Sequence, residues 1–205
     1  MAAVRAAIDI IGTEGLEAFS MPRLAAECGV KVPSLYHHFR DRDDVLMAVV
    51  RHVAGSAVAT SGLAPGADWP QHFVALAINF RSSFERYPNV APLLLRYRPR
   101  DLVPGGYEAA ATFLSSSGVP VEQHIQILDG LETLLIGTAL CEILYPLVDS
   151  ATGYRLAGGD SRPALMAAVH ACDMSAEELL KAKVMALLVG ISNERNNCRS
   201  INLKA

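Results

Sequence analysis

The sequence predicts an all-α protein. Apolar residues recur at helical spacing almost from end to end, Gly and Pro punctuate those stretches, and no sustained β-alternation occurs. Of the 205 residues 51% are hydrophobic and 19% charged, against about 25% charged in an average globular protein. So apolar a chain is too hydrophobic to stay disordered and has more than one face to bury, which points to an oligomer.

Val4, Ala7, Ile8 and Ile11 give the first helix its inner stripe, and Gly12 to Gly15 stop it. Ser20 caps a second, short helix that tolerates Pro22 in its first turn and turns Leu24, Ala25 and Cys28 inward. Gly29 breaks it. A third runs from about Val32 to Phe39, and a fourth from about Arg42 to Ala59 with Val45, Leu46, Val49 and Val53 inward. The turn-rich stretch Ser61 to Asp68 (SGLAPGAD) divides an N-terminal domain, residues 1–60, from a C-terminal one, residues 61–205.

Beyond it, Trp69 to Tyr87 carries a stripe of Phe73, Leu76, Ala77, Phe80 and Phe84, and Pro88 ends it. Val90 to Arg96 and Gly105 to Ser117 make shorter helices, and Gly118 closes the second. Pro120 to Tyr145 is the longest helical pattern, with apolar residues on more than one side, as in a helix packed on both a core and a partner. Pro146 to Arg162 reads as a connection. Ser175 opens a final helix through a capping box with Glu178, and Leu179, Leu180, Val184, Leu187, Leu188 and Ile191 follow. From Asn193 the tail is polar and expected to fray.

Several functions are excluded. The most apolar run, Thr133 to Leu140, is flanked by Glu132 and Glu142 and is too short for a membrane span. The opening MAAVRAAIDIIG, with Asp9 and Glu14 close by, does not read as a secretory leader. Cys28, Cys141, Cys172 and Cys198 form no C-x-x-C pair, as expected of free thiols in a cytoplasmic protein. His72, His124 and His170 have no ligand-spaced partner, so no metal is expected. Neither a G-x-S-x-G, a P-loop, a G-x-G-x-x-G nor an E-x-x-H pair occurs, so neither an enzyme nor a cofactor is expected.

One segment carries chemistry. Phe19 to Leu46 places two short helices either side of Gly29, a helix-turn-helix whose second helix is shaped to enter a major groove. At about 100° per residue, Val32, Leu35 and Phe39 share an inner face, while Pro33, Ser34 and His37 lie opposite, flanked by Tyr36 and His38. Between Ser20 and Arg42 four bases against two acids leave a local charge of +2, on a chain whose net charge is −3. That patch suits phosphate contact.

The order E-G-L-x-A-F-S, R-L-A-x-x-x-G-V, S-L-Y-H-H-F and D-R-D-D-V-L, within Glu14 to Leu46, resembles the DNA-binding segment of TetR/AcrR-family transcriptional repressors. Trp69, Phe80, Arg81, Arg86, Tyr87, Arg98, Pro99, Phe113 and Gly118 resemble the tetracycline-repressor branch of that family. The resemblance implies a homodimer that binds a near-palindromic DNA operator and releases it on taking up a small hydrophobic effector. It places Arg23 at phosphate or a base edge, and Lys31, Val32, Pro33 and Ser34 at bases. Tyr36 and His38 would meet phosphates, His37 would sit over the groove, and Arg42 would clamp the DNA backbone. Trp69, Phe80, Phe84, Tyr87, Tyr97 and Phe113 are candidates to line the effector pocket. Leu76, Leu94 and Ala110 stand where tetracycline repressors keep polar drug- and magnesium-binding groups, so tetracycline is not the expected effector. A helical dimer acting as a protein-interaction or co-regulator module, or an activator, stays open as an alternative.

Overall fold

The computed structural model describes residues 2–57, 62–144 and 163–202, and every regular element among them is a helix. They are α1 (Ala2–Glu14), α2 (Met21–Glu27), α3 (Val32–Tyr36), α4 (Arg42–Ala57), α5 (Trp69–Arg86), α6 (Pro99–Leu102), α7 (Pro104–Ser116), α8 (Val121–Leu144), α9 (Pro163–Ala171) and α10 (Ala176–Asn202). Two 3-10 helices, Leu16–Ala18 and Pro88–Leu95, complete the set. Tyr145 and the connection from Pro146 to Arg162 lie outside the described residues.

The chain forms two compact units, residues 1–60 with 79–113, and residues 61–78 with 114–205. In the first, α1 packs on α4, and α2 packs on both α1 and α3. The inner stripe of α1 is Ala7, Ile8, Ile10 and Ile11, all at most 4% exposed, and Val45, Leu46, Val49 and Val53 of α4 are at most 1% exposed. Phe19 and Leu24 close that core at 2% and 0%. The 3-10 helix Pro88–Leu95 packs against α1 and α4, and α6 against α4. Pro92 leaves Pro88–Leu95 one backbone donor short, which favours the tighter 3-10 winding over an α-helix.

In the second unit, α8 packs along α10. Leu180, Val184 and Leu188 are each at most 1% exposed, and the Leu187 side chain lies over Gly130 of α8, so near that a Cβ there would sit 3.2 Å from its Cδ2. Gln123 and His124 are buried on α8 yet hydrogen-bonded, Gln123 Nε2 to the Ile191 carbonyl (3.1 Å) and His124 Nε2 with the Val119 carbonyl (3.0 Å). The capping box at α10 is complete. The Glu178 N–H donates to Ser175 Oγ (3.2 Å), and the Ser175 N–H and hydroxyl both donate to Glu178 Oε2 (2.8 and 2.7 Å). Those hydrogen bonds hold the Glu178 carboxyl below its ordinary range. The polar tail past Asn193, expected to fray, continues α10 to Asn202.

Candidate nucleic-acid interface

The helix-turn-helix is built from local rules that the sequence carries. Ser20 has extended backbone and accepts the Arg23 N–H on its hydroxyl (3.2 Å), and Pro22 occupies the first turn of α2, where its missing N–H costs nothing. Helix α2 ends in a Schellman motif. The Gly29 N–H donates to the Ala26 carbonyl and the Val30 N–H to the Ala25 carbonyl (3.2 and 3.0 Å). Gly29 sits at φ +65°, a region where a Cβ costs about 1–2 kcal/mol. Helix α4 has its own cap in D-R-D-D. The Asp44 N–H donates to Asp41 Oδ1 (2.8 Å), and Asp44 Oδ2 accepts the Arg40 N–H (3.0 Å).

The recognition helix is shorter than its pattern promises, Val32–Tyr36, with Phe39 reached through a turn whose N–H donates to the Leu35 carbonyl (2.9 Å). Five residues cannot hold a helix alone in water, so it relies on packing. Leu35 supplies the anchor at 4% exposure, with Val32 and Phe39 half-buried beside it. Lys31, Pro33, Ser34, Tyr36, His37 and His38 are all exposed, which gives a mixed outer surface on which Lys31 is the one lysine or arginine among the six. Such a surface suits close approach to base edges.

The two arginines expected at DNA have partners within the protein. Arg23 lies between carboxylates, with Nη2 and Nε on Glu14 (2.6 and 3.1 Å to Oε1) and Nη1 on Glu27 (2.8 Å). The Glu14 carboxyl is held below its ordinary range by that guanidinium. Arg42 donates Nε to the Phe19 carbonyl (3.1 Å) and Nη2 to the Leu16 carbonyl (3.2 Å), and its guanidinium stands 5.4 Å from the Phe19 ring centroid. It thereby ties the start of α4 to the chain entering α2.

Three further ties were not read from the sequence. Asn89 Nδ2 donates to the Ile11 and Gly12 carbonyls at the end of α1 (3.1 and 3.0 Å). Arg96 Nη2 pairs with Asp43 Oδ2 in the first turn of α4 (2.5 Å), and Arg51 Nε donates to the Leu102 carbonyl (3.0 Å). The buried Tyr97 hydroxyl lies near Asp43, and burial first, then that carboxylate, pushes the phenol above its ordinary range. The sequence signal was weak: the Arg96, Arg98, Arg100 cluster is visible, but not what it meets.

Of the candidate effector residues, Phe80, Phe84, Tyr87, Tyr97 and Phe113 belong to the first unit and Trp69 to the second. Phe80 and Phe84 are buried with ring centroids 4.8 Å apart, Trp69 stacks edge-on with Phe73 at 5.9 Å, and Tyr87, Tyr97 and Phe113 are half-buried. Among the described residues no cluster of His, Cys, Asp and Glu is disposed to hold a metal, and no helix is long and apolar enough to cross a membrane.

Charge alone does not replace the forked contact of the Arg42 guanidinium. Arg42→Lys is expected to destabilise the chain by about 1–2 kcal/mol, roughly two net hydrogen bonds, in urea unfolding. A lysine variant as stable as the parent would show that the carbonyl contacts contribute nothing.

Comparison with known proteins bears on the same segment. Residues 3–49 match the family described as bacterial regulatory proteins, tetR family. The chain is 26% identical over 204 residues to the tetracycline repressor protein class A from transposon 1721 of Escherichia coli, covering 97% of this chain and 92% of that one. Its fold is similar to that of the Streptomyces coelicolor TetR family protein ActR in complex with (S)-DNPA, with a TM-score of 0.72, 24% identity and coverage of 93% and 95% of the two chains. It is likewise similar to a single-substitution variant of TetR from Acinetobacter baumannii AYE in complex with minocycline, with a TM-score of 0.66, 19% identity and coverage of 94% of each chain. The N-terminal helix-turn-helix is thus matched by bacterial regulatory proteins of the tetR family over residues 3–49, and nearly the whole chain is similar in sequence to a tetracycline repressor and in fold to TetR-family structures.

Proposed function

We propose that the chain is a ligand-responsive repressor that binds a near-palindromic operator as a homodimer and leaves it when a small hydrophobic effector binds. The observation that carries this reading is the exposed row Lys31, Pro33, Ser34, Tyr36, His37 and His38 on a recognition helix anchored by Leu35. In this reading Lys31, Val32, Pro33 and Ser34 face bases, Tyr36 and His38 meet phosphates, and His37 sits over the groove. Arg23 and Arg42 border that surface, their guanidiniums engaged within the protein. Residues 1–60 serve as the DNA-binding domain, and residues 61–205 as the effector-binding and dimerisation domain.

Effector control requires a physical path to the recognition helix. The segment from Asn89 to Leu102 supplies one, since it touches α1 through Asn89 and α4 through Arg96 and Leu102. An effector that displaces this segment displaces the ends of α1 and α4 with it. A 5–150-fold change in operator affinity needs only about 1–3 kcal/mol of preference for the displaced state. Phe80, Phe84, Tyr87, Tyr97 and Phe113 of the first unit are the proposed apolar lining. The minocycline and (S)-DNPA complexes of the two similar proteins support small-molecule control in general. The apolar residues Leu76, Leu94 and Ala110 argue against tetracycline itself.

For the dimer, the exposed apolar residues Val121 and Ile125 of α8 (71% and 74%) and Val189 of α10 (43%) mark a surface that a second copy would cover. Leu187 is a poor probe of it, because its side chain packs on Gly130 of its own chain.

Two measurements test the reading. In anisotropy titrations, a duplex from upstream of the protein's own coding region is expected to bind about a thousandfold or more tighter than a scrambled duplex. Binding to neither would favour an interaction module, whereas equal, salt-sensitive binding of both would mean that this duplex is not the operator. In sedimentation, Ile125→Asp is expected to convert a dimer to a monomer, and an unchanged dimer would remove this face of α8 from the interface.

A further inference from the structure

The Glu14–Arg23–Glu27 trio lies in the helix-turn-helix with its guanidinium engaged by the protein's own carboxylates. Glu14 ends α1, Arg23 stands in the first turn of α2, and Glu27 ends α2. All three guanidinium nitrogens of Arg23 donate to carboxylate oxygens, two to Glu14 and one to Glu27, at 2.6–3.1 Å. The side chains stay between 34% and 43% exposed, so the trio is open to solvent and to whatever the surface meets. Its net charge is −1. Glu27 is four residues before Lys31, hence within about 14 Å of it along the chain. That span is comparable to the Debye length of about 10 Å at 0.1 M salt, so DNA on the recognition helix feels the carboxylates.

We propose that Glu14 and Glu27 are specificity-determining residues. They hold the Arg23 guanidinium out of phosphate contact and keep the weak, sequence-independent attraction to DNA low, so that the bases decide where the protein stays. The inference rests on the operator-binding reading above and adds a role for residues that touch no base. A purely structural tie between α1 and α2 would use the same contacts but would not change how binding responds to salt.

The test is a salt series of anisotropy titrations on a scrambled duplex and on the specific one, with parent, Glu14→Gln/Glu27→Gln, and the same double variant carrying Arg23→Gln. Freeing one cation to neutralise one further phosphate is expected to steepen the slope of log affinity against log salt by about 0.9. Affinity for the scrambled duplex then rises severalfold at low salt, and the preference for the specific duplex narrows. Adding Arg23→Gln is expected to abolish the gain. An unchanged slope and unchanged scrambled affinity in the double variant would overturn the proposal, whether or not its melting temperature fell. Should the double variant fail to fold, Glu14→Gln removes the partner of two of the three guanidinium nitrogens and carries the same direction of change, with an unchanged slope again overturning it. A parent that binds neither duplex would defeat the operator reading and this inference together. A parent that binds specifically beside variants that behave like it would defeat the inference alone.

Discussion

The helix-turn-helix depends on one polar contact that no helix propensity could supply. The Arg42 guanidinium gathers the carbonyls of Leu16 and Phe19 and lies against the Phe19 ring, itself 2% exposed. Both carbonyls belong to the link between α1 and α2. That of Leu16 also accepts the Phe19 N–H (3.2 Å), whereas the Phe19 carbonyl lies outside any helix. Leaving such a part-buried acceptor unpaired would cost about 1–3 kcal/mol. The same contact sets where α4 begins, and so sets the loop that holds α3. The adjacent residue, Asp43, pairs with Arg96. Neighbouring residues in the first turn of α4 thus engage the link into α2 and the segment that follows α5.

This arrangement explains how a five-residue helix can serve as a reading head. Helix α3 contributes one buried side chain, Leu35, and too few backbone hydrogen bonds to persist alone. Its orientation is therefore inherited from its neighbours: the Schellman end of α2 at Gly29, the capped start of α4 at Asp41, and the Arg42 tie. Small displacements of those neighbours move the whole outer row from Lys31 to His38, which is what a regulator needs of a head that must fit or miss a groove.

What the sequence made legible was local. Ser20 with Pro22, Gly29, the alternation of Leu35 with exposed Ser34 and Tyr36, and the Ser175–Glu178 box all act within a few residues, and each takes the form the spacing implies. Illegible were the contacts between residues far apart in the chain. Arg42 meets a carbonyl 23 residues away and Asn89 one 78 residues away, and neither residue type in isolation announces such a partner. Arg23 was legible as a cation but not as a cation already neutralised, because Glu14 comes from another helix. The four-residue α6 and the nine-residue α9 escaped periodicity analysis because a helix of so few turns shows little or no repeat. Aromatic spacing along α5 gave a buried stripe correctly, but which aromatics face an effector is a property of packing between elements and not of spacing.

The proposed repressor requires two copies of this head to read DNA together. Selection of bound duplexes from a random pool, followed by sequencing, tests it most directly. Two inverted half-sites whose centres lie about one helical turn, or a multiple, apart are expected to be enriched. A pool that shows no enrichment, or one dominated by a single unpaired half-site, would contradict it.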